Sequence, residues 1–391
     1  MCYGRCDYRV PQRRVANAVI ARELISAKRL FLFTTLMMLL TLGSSSLLFH
    51  PVSSSFSSFK ASEVGTEQFL SRNSPNSAFA SSNDDVYVSN LNESQSHGSL
   101  SIISGSSNKV VGTVKVGSGP YGGAYDPVNK ELYIANYGVW GKMINMISVI
   151  NRTTNKVIGT IRVGKQPIAA AFDSHNREIY VANYCSECVE GSTVSVINAT
   201  ANKVVATIRV GVEPIAVVFN PANDELYVPV AGPENDTSLV YVINDSTNKV
   251  ISAIGVGAYP QGAALNSFND ELYVPNYSGD SVSVIDCKSN REIATINVGV
   301  GPVGAAYDSA NHSIYVSNNI GNSVSVITSK NVVIKTVAVG SEPNGLAFDP
   351  ANGEMYVADY GSNTVSVINC ASNMVIKTVH VGTDPIGIVV G

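Results

Sequence analysis

From residue 77 to residue 391 the chain alternates apolar and polar side chains in short runs, separated by Gly, Asn, Asp and Ser. Alternation at every second position marks strands with one face turned to a core, and the separators are the residues that hairpin turns require. The stretch from Pro343 to Gly382 shows the unit most clearly. A run of small and aromatic residues follows Pro343 and ends at the turn Asp349-Pro350-Ala351-Asn352. Three alternating segments come next, Met355 to Ala358, Val365 to Ile368 and Val375 to Val381. This is a four-stranded unit.

The unit recurs. The tyrosine of its second strand returns at Tyr87, Tyr133, Tyr180, Tyr227, Tyr273, Tyr315 and Tyr356, in steps of 46, 47, 47, 46, 42 and 41 residues. The Gly that ends the fourth strand is followed three residues later by Pro in every copy, from Gly117/Pro120 to Gly382/Pro385. Four short strands repeated every 40 to 45 residues predict an all-β fold, a seven-bladed β-propeller of four-stranded antiparallel blades. An open ring would expose two sheet faces. Pro385 to Gly391 is a spare inner strand, expected to join the sheet of Tyr87 and lock the circle. The rival arrangement fills that blade with Ser77 to Ser81.

Position within the unit explains most residue types. Gly122, Ala169, Ala216, Gly262, Gly304, Gly345 and Gly387 are small where inner strands converge on the channel. Phe79, Tyr125, Phe172, Phe219, Leu265, Tyr307 and Phe348 close the same strand and are expected in the core. Asn83, Asn129, Asn176, Asn223, Asn269, Asn311 and Asn352 are expected to take the left-handed turn conformation, which Asn tolerates. Segments such as Tyr180-Val181-Ala182-Asn183 and Val194-Ser195-Val196-Ile197 resemble the YVTN-type β-propeller repeat over about residues 77 to 391. That resemblance implies a surface-layer-like protein engaged in binding, adhesion or scaffolding outside the cell. Copy 4 departs from it at Pro229 and Val230.

Composition changes the picture only at the N-terminus. Residues 1 to 29 carry seven Lys/Arg against Asp7 and Glu23, leaving 19 basic against 28 acidic residues and a net charge of −9 for the rest. A body that acidic lacks the electrostatic footprint for phosphate backbones, so nucleic acid is not expected as a partner. Leu30 to Leu42 behind Lys28-Arg29 resembles a secretory apolar region, and extension to Phe49 reaches the length of a bilayer span. Residues 1–49 therefore read as a basic N-terminus with a cleaved signal peptide or an uncleaved anchor through residues 30–49, residues 50–76 as a Ser-rich tether, and 77–391 as the propeller. The expected location is extracellular or the cell surface, secreted or membrane-anchored.

Length varies at one place. From each tyrosine to the third strand the distance is 13, 14, 14 and 13 in copies 1 to 4 but 9 in copies 5 to 7. The longer loops share a face with the Gly-x-x-Pro connections, and a ligand or partner is expected there. Tyr137, Tyr184, Tyr277 and Tyr360 occupy one repeat position on that face, and the single tryptophan, Trp140, is in the loop of copy 2. Rings of this kind suit a surface polysaccharide or protein, although they also serve as rim packing. Cys185 and Cys188 read as a disulfide pinning the copy 3 loop; a metal site would need two further ligands of matching spacing, which the sequence lacks. Cys287 and Cys370 fall in blades that do not touch and are expected to be free. No cofactor, metal or catalytic residue is expected. Seven-bladed relatives that are lactonases or virginiamycin B lyase-like enzymes make an enzyme at the channel mouth the alternative.

Overall fold

The computed structural model describes residues 85–92, 97–139, 142–185, 192–231 and 238–391. Blade 1 contains β1 (Asp85–Asn90), β2 (Ser99–Ser104) and β3 (Lys109–Lys115), and blade 2 contains β4 (Pro120–Asp126), β5 (Glu131–Val139), β6 (Lys142–Asn151) and β7 (Lys156–Arg162). Blade 3 is β8 (Pro167–Asp173), β9 (Glu178–Asn183), β10 (Thr193–Asn198) and β11 (Lys203–Arg209). Blade 4 is β12 (Val218–Asn220), β13 (Glu225–Val230), β14 (Leu239–Asn244) and β15 (Lys249–Gly255). Blade 5 is β16 (Ala264–Asn266), β17 (Glu271–Asn276), β18 (Ser281–Asp286) and β19 (Arg291–Asn297). Blade 6 is β20 (Pro302–Asp308), β21 (Ser313–Asn318), β22 (Ser323–Ile327) and β23 (Val333–Ala338), and blade 7 is β24 (Pro343–Asp349), β25 (Glu354–Asp359), β26 (Thr364–Asn369) and β27 (Met374–His380).

The last strand, β28 (Pro385–Val390), pairs antiparallel with β1, Val86 opposite Val390 and Asn90 opposite Pro385. It is the innermost strand of blade 1, in the order β28-β1-β2-β3. The expected closure is therefore the observed one. The N-terminal basic, apolar and tether segments, with residues 77–81, lie outside the described residues.

Burial follows the position of each strand. Second and third strands are covered on both faces, as in Leu132 to Ala135 and Val365 with Val367, all fully buried. Fourth strands face solvent and bury one side chain near their end, for instance Ile208 in β11. The core is a set of layers between blades: Tyr133, Ile147 and Val149 of blade 2 meet Ile179, Val181 and Ile197 of blade 3. The seam uses the same chemistry, with Tyr356, Val365 and Val367 against Val86, Val88 and Ile103. Inner strands approach so closely that a Cβ on Gly387 would lie 2.2 Å from the Tyr121 carbonyl oxygen. Only glycine allows that contact.

Every repeat tyrosine ties its blade to the next. Tyr133 Oη donates to Asn202 Oδ1 at 2.7 Å, Tyr227 to Asn290 at 2.8 Å and Tyr315 to Asn373 at 2.6 Å. Tyr87 reaches Asn155 of blade 2 in the same way, and across the seam Tyr356 reaches Asn108, each at 2.7 Å.

Two expectations need correction. In the turn between first and second strands the left-handed residue is not the Asn but the one after it: Lys130, Arg177, Asp224, Asp270, His312 and Gly353 have φ between 56° and 71°. The Asn side chain instead serves the neighbouring blade, Asn129 Nδ2 donating to the Ala199 carbonyl at 2.8 Å and Asn352 to that of Gly105 at 3.2 Å. A donor is worth more there, since those carbonyls face a buried interface. Secondly, Tyr125, Phe172, Phe219, Leu265, Tyr307 and Phe348 pack on the inter-blade layers but stay half-buried, because they sit at the ends of their strands. Phe79 and Asn83 lie outside the described residues.

Blade 4 shows what a local sequence change does. Pro229 and Pro275 have no N–H to give to the inner strand, so β12 and β16 shrink to three residues each, with isolated bridges at Pro214 and Pro260. Five other blades have, at the position of Val230, an Asn whose amide donates to a third-strand serine, as Asn136 to Ser148 and Asn183 to Ser195, both at 3.0 Å, and blade 7 has Asp359, which accepts from Ser366. In blade 4, Val230 and Tyr241 replace that polar pair with an apolar one.

Candidate functional site: the channel mouth

The Gly-x-x-Pro connections set the mouth. In all seven the residue before Pro has a left-handed backbone: Gly119, Gln166, Glu213, Tyr259, Gly301, Glu342 and Asp384, with φ from 50° to 65°. Such a conformation is costly for a non-glycine residue and persists only where the surroundings hold it. Here two hydrogen bonds do so. The carbonyl accepts from the residue that follows the repeat's Asn or Asp in its own blade, as in Tyr137 to Gly119 (2.8 Å), Tyr184 to Gln166 (3.0 Å), Tyr277 to Tyr259 (3.0 Å) and Tyr360 to Glu342 (3.1 Å). The N–H is taken by the preceding blade: Ser192 Oγ accepts from Glu213, Asn322 Oδ1 from Glu342 and Asn363 Oδ1 from Asp384.

This arrangement brings the strand 2–3 loops and the Gly-x-x-Pro connections to one face. The loops of blades 5 and 7 are short 3-10 turns, Tyr277–Gly279 and Tyr360–Ser362. In blade 2 the extra length prolongs the β5–β6 hairpin, with Gly138 opposite Met143. The loops of blades 1, 3 and 4 are described only in part.

The four tyrosines singled out by their repeat position are all half-buried on this face. Tyr137 and Tyr184 have ring centroids 6.0 Å apart at 55°. Two further tyrosines join them. Tyr121, one residue into β4, packs on Tyr137 with centroids 5.8 Å apart, and Tyr259 packs on Tyr277 at 6.2 Å. The Tyr121 phenol lies within electrostatic reach of Tyr137, Tyr360 and Tyr259, phenols of blades 2 and 7 and of the connection into blade 5. Trp140 and Cys188 lie outside the described residues. Cys185 is a buried disulfide cysteine with φ of 40°. Cys287 and Cys370 are buried free thiols, pushed up to about 12 chiefly by burial.

One carboxylate stands among the rings. Glu213 lies within electrostatic reach of Tyr184 and Tyr137, and its N–H donates to Ser192 Oγ, which in turn donates to the Tyr184 carbonyl at 2.7 Å. Burial raises its pKa, and the neighbouring Tyr184 phenol opposes the rise. Burial likewise pushes up the phenols of Tyr121, Tyr137 and Tyr184, with Glu213 adding to the last two. These are weakly hydrated groups. Tyr121, Tyr259 and Glu213 escaped the repeat-based reading because they occupy the variable places around Gly-x-x-Pro. Their signal was that Gly and Pro stay constant while the residues beside them do not.

The histidines on the opposite face make other contacts. His175 Nδ1 is 2.6 Å from Asp224 Oδ1, and His312 stacks on Phe268 and meets the Tyr307 hydroxyl at 2.8 Å. His97 is exposed, and Glu93 lies outside the described residues. Among the described residues no group of three His, Cys, Asp or Glu side chains is placed to hold a metal ion.

No family model matches the chain, and no curated protein does. Solved structures are similar in fold. The Pseudomonas aeruginosa periplasmic gluconolactonase superposes with a TM-score of 0.66 at 17% identity, over 78% of this chain and 98% of that one. A functionally unknown protein from Desulfotomaculum acetoxidans gives 0.65 at 12%, with the same coverages. Kuenenia stuttgartiensis hydrazine synthase gives 0.62 at 18%, over 72% of this chain and 94% of that chain. Identities this low establish a shared propeller fold and nothing finer.

Proposed function

We propose that the chain is a non-catalytic binding propeller of the cell exterior, secreted or anchored through residues 30–49, whose mouth face docks a surface polysaccharide or protein. The observation that carries this reading is the packing of Tyr121 on Tyr137, of Tyr137 on Tyr184 and of Tyr259 on Tyr277 at the mouth. Half-buried phenols offer large, rigid contact area with a polar tip, the combination found where binding surfaces must be apolar and specific at once. A Cys185–Cys188 bridge would hold the blade 3 loop beside them. The test is a glycan and surface-protein array probed with the purified chain and with a Tyr137→Ala/Tyr184→Ala double variant. A ligand retained by the wild type and lost by a folded variant supports the site; equal retention removes it.

A second reading has one observation in its favour. Glu213, with a pKa raised chiefly by burial beside the Tyr184 phenol, is the kind of carboxyl that transfers protons. A lactonase- or lyase-like enzyme at the same mouth would turn over simple lactones and lose that activity in Glu213→Gln.

A further inference from the structure

Resting on the binding reading, we propose that the group recognised at the mouth is an alkylammonium cation, seated among the rings of Tyr121, Tyr137, Tyr184 and Tyr259 with Glu213 as its counter-charge. The inference starts from the sign of the site. The face of an aromatic ring carries negative potential, and a cation within about 6 Å of its centroid is attracted, more strongly where water is sparse. The rings of Tyr121, Tyr137 and Tyr184 follow one another at 5.8 and 6.0 Å with tilts of 44° and 55°, so they form a tilted row and not a parallel stack. Tyr259 closes the group from the connection into blade 5, within electrostatic reach of all three phenols.

Glu213 is the second, independent observation. It is half-buried, is held beside Tyr184 through Ser192 Oγ, and has no ion pair among the described residues. The ion pairs that are described, His175 with Asp224 and Arg177 with Asp126, belong to the opposite end of the blades. A negative charge placed in an aromatic, weakly hydrated setting without a cation is unfavourable on its own, and a bound ammonium would relieve it. The surroundings share the sign. The seven connections carry Glu213, Glu342 and Asp384 against a single exposed lysine, Lys165. Sulfated, phosphorylated or uronic-acid polymers are therefore disfavoured, and ligands with amino groups or quaternary nitrogen are favoured.

The experiment is isothermal titration of the full chain with choline, with n-butylammonium and with 3,3-dimethyl-1-butanol, the neutral isostere of choline. The expected result is that a cation binds about tenfold or more tightly than the isostere, that Glu213→Gln removes most of that advantage, and that added salt weakens the cation only. Preference for choline over n-butylammonium would indicate a quaternary headgroup as the natural source; the reverse would indicate lysine side chains or amino sugars. Tyr184→Phe keeps a ring face and retains cation binding, whereas a folded Tyr184→Ala loses it. Equal binding of choline and isostere overturns the cation proposal while leaving a binding mouth in place. No binding of any probe, alongside an array ligand that depends on Tyr137 and Tyr184, also overturns this proposal and spares the broader reading. No probe and no mouth-dependent array ligand defeats both.

Discussion

The two ends of the propeller are made from the same strands and obey different rules. At the end away from the mouth, residue types barely change from blade to blade: a tyrosine donates to an asparagine of the next blade all the way round, seam included. At the mouth the backbone is equally regular, with seven left-handed residues before seven prolines, but the side chains on it differ. One end is a device for closing a circle. The other is a fixed frame on which variable groups are mounted, which is where recognition is usually found. Four changes would break or sharpen that contrast.

Deleting Pro385–Gly391 should have the largest effect. It removes the inner strand of blade 1 with the buried Ile386 and Val389, and exposes the edge of β1. Loss of a single cooperative thermal transition is expected, and an unchanged transition would mean that the ring does not depend on this strand.

Asp359→Asn should stabilise the protein. Blade 7 has Asp where five blades have Asn, fully buried and accepting from Ser366 at 2.7 Å and Thr364 at 3.1 Å. Burial raises its pKa from 3.8 to about 6. Between those values the folded chain keeps a proton that the unfolded chain has released, so stability falls as pH rises through the window and the full cost stands above about 6. The variant should gain about 2–3 kcal/mol at neutral pH and nothing at pH below the ordinary carboxyl range, read from denaturant melts. Asp173, raised to about 6 by burial with Asp245 adding, leaves a residual slope of the same sign.

Tyr356→Phe should cost about 1–2 kcal/mol in the same melts, because it strips a bond across the seam and leaves Asn108 short of a partner. Tyr277→Phe, the corresponding change at the mouth, should stay within about 0.5 kcal/mol. If these two were equal, the division between a closing end and a displaying end would fail.

Much of this was legible beforehand because it is local. A period-2 pattern identifies a strand from a few neighbours, and a repeat multiplies weak evidence by seven, so blade count, strand order and the role of β28 could be read from residues such as Tyr87 and Pro385. The position of the left-handed residue could not. Asn is the obvious choice by propensity, yet its side chain is drawn to a carbonyl of the next blade and the turn is completed by Lys130 or His312 instead. Tertiary demand overrode local preference.

The linear chain thus determined the circle, since every wedge carries its own instructions in adjacent residues. What it left open is which variable side chains meet. Tyr121, Tyr259 and Tyr360 come from separate blades and connections, and no spacing rule relates them. Only closing the ring brings Tyr121, packed on Tyr137, within electrostatic reach of Tyr259 and Tyr360, because the inner strands that carry these neighbourhoods meet nowhere along the linear chain.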